Sequence, residues 1–152
     1  MAPTKKNPVV LMVDDDEEDI YLTRRAFCNY RENLKFNSVQ NGTELFDSLN
    51  CRGAYSDNLI TDLPDVILLD INIPNANGFD LLERLKADDS FKHIPVSMLT
   101  TSNSHKDIHK AYSLGASSFI CKSVSADGMK EVAQNFCQYW LNFAKLPSLV
   151  SK

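Results

Sequence analysis

Short apolar runs bounded by turn residues alternate along the chain with segments whose apolar positions recur every three or four residues. This pattern predicts repeated βα units around a parallel sheet. Five such units can be read. Pro8 to Asp14 is the first predicted strand and Glu17 to Tyr30 the first helix, with Ile20, Thr23, Ala26 and Phe27 on one face. A second strand runs from Leu34 to Gln40. Asn41-Gly42 marks a turn, and a short helix beginning at Thr43 carries Leu45, Phe46 and Leu49. Tyr55 to Leu63 reads as loop. The third strand, Asp65 to Asp70, is continuously apolar through Val66, Ile67, Leu68 and Leu69, as expected of a central strand covered on both faces. A loop from Ile71 to Asn77 leads to a helix of Gly78 to Ala87, whose buried stripe is Phe79, Leu82 and Leu85. Ile94 to Thr100 is the fourth strand. Thr101 to Ser104 can cap a helix ending near Gly115, Phe119 to Cys121 lies in a fifth strand, and Ser125 to about Ala144 forms one last helix. Met1 to Asn7 and Ser148 to Lys152 are expected to fray.

In an open α/β sheet, ligands bind beyond the carboxyl ends of the strands, so the residues at which strands stop carry the chemistry. Strand one ends in Asp14-Asp15-Asp16, strand three in Asp70, strand four in Thr100-Thr101 and strand five in Lys122. Acids, hydroxyls and one lysine therefore converge. Two carboxylates about 4 Å apart repel by roughly 4 kcal/mol at an effective dielectric near 20, so the cluster calls for a cation. Oxygen ligands favour Mg²⁺, which takes one or two carboxylates and keeps room for a phosphate. Asp14, Asp15 and Asp70 carry three negative charges, which Mg²⁺ and Lys122 together would balance. A phosphoryl group arriving at Asp70 could then be clamped by the Thr100 hydroxyl and the Lys122 ammonium.

Each element alone has a plainer reading. Asp14 to Asp19 could cap a helix and complement its dipole, Thr100 to Ser104 could be an N-cap, and a lone lysine is usually a solvated charge. The conjunction at successive strand ends is what points to a site. Other candidates are weaker. His105 and His109 stand four apart on one helix without a third ligand and read as an exposed pair, and His93 reads as a surface residue. The aromatic stripe of Phe136, Tyr139 and Phe143 with Trp140 is most simply core packing, with an interaction surface as the sharper alternative.

Composition narrows the class without naming a function. The chain has 152 residues with 16 Lys plus Arg against 20 Asp plus Glu, a net charge of −4, which argues against a dedicated nucleic-acid binder. No apolar run approaches the roughly 20 residues of a membrane span, and the run behind Met1 to Pro8 is too short for a signal peptide. Cys28, Cys51, Cys121 and Cys137 show no metal-ligand spacing, and reduced thiols predict a cytoplasmic protein.

From Val9 to about Ala144 the chain resembles the receiver domain of bacterial two-component response regulators. The resemblance is carried by Val13-Asp14-Asp15, by Leu68-Leu69-Asp70 with Pro74 and Gly78, by Ser97-Met98-Leu99-Thr100, and by Gly115-Ala116 followed by Phe119 and Lys122. It implies a flavodoxin-like (βα)5 sandwich with parallel strand order 2-1-3-4-5. It also implies a disordered segment 1–7, a receiver domain 8–145, and a short tail 146–152 with no effector domain. Carried over residue by residue, Asp70 would accept a phosphoryl group from a sensor histidine kinase or phosphotransfer protein. Mg²⁺ would be held by Asp15, Asp70 and the backbone carbonyl of Asn72, with Asp14 acting through water. Thr100 and Phe119 would be switch residues, Lys122 would assist, and Asn72 and Ser102 would tune how long the phosphoryl group persists. Such a protein is a regulator that assists its own phosphorylation and dephosphorylation, rather than an enzyme, and passes its signal to a downstream protein target.

One departure is Ser123 after Lys122, where the family usually has a cis proline. A cis bond before serine costs about 2.5–4 kcal/mol, so strain or a reoriented lysine is expected, with a trans or strained bond as the prediction. The ending Tyr139-Trp140 to Leu146-Pro147 is similar to stand-alone receivers associated with phytochrome-type kinases, which implies a homodimer through the last two units. Two alternatives remain at this stage. One is a receiver-like interaction module that works without phosphorylation. The other is a haloacid-dehalogenase-type phosphatase, although Asp70-Ile71-Asn72 lacks the second acid that such an enzyme uses.

Overall fold

The computed structural model describes residues 7–55 and 63–147. The predicted frayed residues 1–6 and 148–152, and residues 56–62 of the predicted loop, lie outside them. Five parallel strands, β1 (Val9–Val13), β2 (Lys35–Val39), β3 (Val66–Leu69), β4 (Val96–Thr100) and β5 (Ser118–Cys121), form one sheet in the order β2-β1-β3-β4-β5. The predicted flavodoxin-like order is therefore observed. The helices are α1 (Glu17–Tyr30), α2 (Gly42–Leu49), α3 (Gly78–Ala87), α4 (His105–Ser113) and α5 (Ala126–Phe136).

Alternation along the strands sends side chains to two separate cores. Leu11, Val13, Ile67, Leu69, Val96 and Met98 pack with Leu45, Phe46, Leu82, Leu85 and Ala111 on the α2–α4 side. Val10, Met12, Val66, Leu68 and Leu99 pack with Ile20, Phe27, Met129, Ala133 and Phe136 on the α1–α5 side. Every residue of β1, β3 and β4 is buried, which is why those runs lack a polar alternation. Side-chain caps start the helices: Asp16 accepts from Glu18 N and Asp19 N, Asn41 from Glu44 N, Ser104 from Asp107 N and Ser125 from Gly128 N.

Four local features differ from the sequence reading. Tyr55 closes a 3-10 turn, Gly53–Tyr55, whereas loop was expected from that residue onward. The segment from Ile71 to Asn77 contains a small hairpin, Asn72–Ile73 against Ala76–Asn77, turned by Asn75 at φ 62°. Asn77 then caps α3 by accepting from Phe79 N. The last helix is not uniform, since after Phe136 it continues as a π-helix over Cys137–Phe143, closed by Ala144 N donating to Tyr139 O. The wider winding rotates the aromatic stripe away from the core. Phe136 is buried against Phe27 and Trp140 is half-buried, but Tyr139 and Phe143 are 52% and 78% exposed, so core packing holds for only part of the stripe.

At Gly78 the start of α3 lies directly against the end of β3. A Cβ there would lie 2.1 Å from the Asp70 carbonyl oxygen and 2.7 Å from Ile71 Cα. Both neighbours are backbone, so Gly78→Ala must push α3 away from the end of β3. A loss of about 1–3 kcal/mol in urea denaturation is expected. Cys137 offers a second check. Burial, opposed by the nearby Arg31 and reinforced by Cys28, pushes its thiol up to about 11. Its stabilising contribution is complete below the ordinary thiol range and is lost as pH rises through 9 toward 11. Cys121 is exposed. Alkylation of folded protein at pH 8, read by peptide mass, should label Cys121 well before Cys137.

Candidate functional site

The sheet ladder itself assembles the site. Each of three strands is extended by one backbone hydrogen bond beyond its last residue: Asp14 N donates to Val39 O (3.1 Å), Asp70 N to Val13 O (3.1 Å) and Lys122 N to Thr100 O (2.8 Å). Asp14, Asp70, Thr100 and Lys122 are therefore held at one edge by the same register that pairs the apolar cores. Acids, hydroxyl and lysine thus lie at the same edge.

Lys122 is the centre of the cluster. Its side chain is 7% exposed, and Nζ donates to Asp14 Oδ2 at 2.6 Å, Asp19 Oδ2 at 2.8 Å and Asp70 Oδ2 at 2.9 Å. Desolvation alone would lower the lysine's pKa, but hydrogen bonds to the three carboxylates, with the Asp70 charge, hold it well above the ordinary lysine range. Asp14 is wholly buried, and that burial pushes its carboxyl up against the opposing pull of the Lys122 and Asp16 N–H bonds. The ammonium thus stays charged.

The Lys122–Ser123 bond is trans, as expected. The Lys122 ammonium lies among the carboxylates of Asp14, Asp19 and Asp70. The ladder bond from Lys122 N fixes its backbone in register, and the chain turns only afterwards, where Ser123 Oγ accepts from Ser125 N. Gly128 makes room for this turn, since a Cβ there would lie 1.9 Å from Ser123 Oγ.

Asp15 is exposed and is not among the lysine's partners. Asp16, not Asp14, caps α1, so the acidic run divides between capping and the site. Asn72 opens the hairpin beyond Asp70, its side chain exposed and its N–H directed to Asp70 Oδ1 at 3.4 Å. The Thr100 hydroxyl is fully buried and has no hydrogen-bond partner. Leaving a buried hydroxyl unpaired costs about 1–3 kcal/mol. Phe119 is half-buried at the edge of the α2–α4 core, and Ser102 Oγ donates to Asp107 Oδ2.

The residue missed from the sequence is Asp19. It lies one turn ahead of Thr23 and Ala26 on the buried stripe of α1, and an acid continuing an apolar face was a readable signal. The histidines stay apart from the site: His93, His105 and His109 are all exposed.

All these donors are hard oxygens, and three acids already turn toward a single cation, which suits a hard divalent ion. Among the described residues no three His, Cys, Asp or Glu side chains form a ready-made metal cage. The point on which the acids converge is held by the ammonium.

Comparison with known proteins agrees with this geometry. The family model for the response regulator receiver domain matches residues 10–134. Response regulator Rcp1 of Synechocystis is 27% identical over 95% of this chain and 97% of its own length, and the crystal structure of its Mn²⁺-bound form superposes with a TM-score of 0.81. The phosphorylated cyanobacterial phytochrome response regulator RcpA is 31% identical, with a TM-score of 0.84 over 93% of this chain and 99% of that one. Chemotaxis protein CheY-3 of Vibrio cholerae is 31% identical over 86% of this chain and 92% of its own. Among the described residues no helix is long and apolar enough to cross a membrane. With acids, hydroxyl and lysine at the strand ends of a 2-1-3-4-5 sheet, and a family match across most of its length, this chain belongs to the response regulator receiver domain family.

Proposed function

We propose that this protein relays a signal by accepting a phosphoryl group on Asp70 from the phosphohistidine of a sensor histidine kinase or phosphotransfer protein. The observation that carries the reading is the ammonium of Lys122 among buried carboxylates at strand ends, beside a buried hydroxyl without a partner. An Asp70 carboxylate oxygen attacks phosphorus as the P–N bond to the donor imidazole breaks. The imidazole leaves with that electron pair and takes up a proton from solvent. Lys122 neutralises charge on one phosphoryl oxygen, and the Thr100 hydroxyl donates to another, gaining the partner it lacks at rest. Asp15, Asp70 and the Asn72 carbonyl would hold Mg²⁺, with Asp14 acting through water, and the ion supplies charge neutralisation and orientation there.

The output follows from what Thr100 is attached to. It ends β4, and its movement pulls on the loop leading into α4, in which only Ala111 is buried. A helix held by so few buried contacts shifts at low cost, and half-buried Phe119 on β5 turns inward as it does. The α4, β5 and α5 surface is then read by a downstream protein target, and the exposed Tyr139 and Phe143 beside it are where self-association into a homodimer would fall. Likeness to RcpA supports a phytochrome-type kinase as the donor. The four free cysteines support a cytoplasmic place of action. The phosphorylation-independent alternative has the Lys122-Ser123 departure as its support, and the ion pairs of Lys122 with Asp14 and Asp70 favour the phosphorylation reading over it. The dehalogenase-type alternative has no observation in its favour.

Intact-mass measurement after incubation with a small-molecule phosphodonor should show one added phosphoryl group. The adduct should require both Mg²⁺ and Asp70, and it should vanish in Asp70→Asn. A folded wild type that takes up no phosphoryl group, even from a phosphorylated kinase, would refute the proposal. Thr100→Val separates resting stability from switching. Because the lost hydroxyl had no partner, unfolding free energy in urea should fall by no more than about 0.5 kcal/mol, or rise. The amide shifts that phosphorylation produces in β5 should shrink sharply in the same variant.

A further inference from the structure

Asp19 is the acid at this site that the phosphorylation chemistry above leaves without a task. Its carboxylate, on the first turn of α1 and a third exposed, bonds the Lys122 ammonium as closely as the two strand-end acids do. Asp14 and Asp70 are nearly closed to solvent, and the same ammonium occupies the Oδ2 atom of each. A divalent cation held by those acids must therefore compete with Lys122. An ammonium displaced from both into a side-chain environment only 7% exposed would be a buried charge with no partner, which is costly. Asp19 removes that cost. It is the one partner of the three at the rim of the site, contributed by a helix and not by a strand end.

We propose that Asp19 is a positioning residue that retains the Lys122 ammonium when a divalent cation, held at Asp70 and through water at Asp14, draws those two carboxylates away from it. The inference rests on the metal-binding reading given above. It assigns to Asp19 no contact with metal or phosphoryl group. Its effect passes through the lysine, and it sets how readily the ammonium yields the carboxylate oxygens. Without Asp19, the ammonium settles wholly on Asp14 and Asp70 and competes harder.

The test is titration of unphosphorylated protein with Mg²⁺ alone, followed by amide chemical shifts of Asp15 and Asn72. Asp19→Asn should weaken Mg²⁺ binding about three- to tenfold. Asp19→Glu should restore it to within about twofold, and Glu18→Gln, an equal change of charge on the exposed face of the same turn, should stay within about twofold of wild type. The decisive arm is the Lys122→Met background, in which Asp19→Asn should change the affinity by less than about twofold. Equal losses with and without the lysine would mean that Asp19 acts only as a distant charge, and would overturn the proposal, as would Asp19→Asn behaving like Glu18→Gln. Should Lys122→Met not fold, the ammonium signal of Lys122 at saturating Mg²⁺ decides. It should persist in wild type and exchange away in Asp19→Asn, and equal behaviour in the two overturns the proposal. A wild type that shows no Mg²⁺-dependent shifts removes the metal reading and this inference together. That result is distinct from a wild type that titrates while Asp19→Asn matches it.

Discussion

The ammonium of Lys122 neutralises carboxylates that an apolar sheet would otherwise not tolerate. Asp14 and Asp70 sit at the ends of strands whose every other residue is buried, so the ladder that builds the core also brings two like charges together out of water. Coulomb repulsion and desolvation oppose that arrangement, and removing one partner from such a cluster typically costs about 3–5 kcal/mol. The lysine comes from the far strand, β5, and reaches across the edge to meet both acids. Edge chemistry and sheet order are thereby one constraint: a strand order that moved β5 farther from β1 and β3 than the width of β4 would leave the acids without their cation.

Around that point the fold alternates rigid and loosely held parts. β1, β3 and β4 are enclosed by two cores, and the Gly78 backbone lies against the Asp70 carbonyl, so the end of β3 has little freedom. Thr100 is equally buried but chemically unfinished, and the helix that follows it is mostly exposed. The rigid acids thus stand beside a helix that few buried contacts hold, with Ala111 alone buried in it.

Much of the site was legible because strand ends in a parallel sheet are marked twice, by an apolar run stopping and by a polar residue taking its place. Val13-Asp14, Leu69-Asp70, Leu99-Thr100 and Cys121-Lys122 all carry that double mark. Asp19 was less visible because acids in a first helical turn have a sufficient local explanation in capping, and only its position above Thr23 and Ala26 distinguishes it from Glu17 and Glu18. The trans Lys122–Ser123 bond was legible, while the place of the lysine was not, for a related reason. A peptide bond's isomer is a local property, whereas the place of the lysine is set by a hydrogen bond to Thr100, twenty-two positions earlier in the chain. The aromatic stripe misled because helical periodicity was extrapolated through a segment that winds more widely.

The sequence by itself determined the five βα units, their caps, the burial of the central strands and the residue types that stop them, because each depends on neighbours a few positions apart. Tertiary structure alone decided which acids share the ammonium, that Asp15 stays outside while Asp19 comes in, that the Thr100 hydroxyl is left unpaired, and which rings of the last helix face solvent. Those outcomes depend on register between strands and on which face of a helix meets the sheet. Only the packed chain sets the distances and the exclusion of water on which electrostatics and hydrogen bonding act.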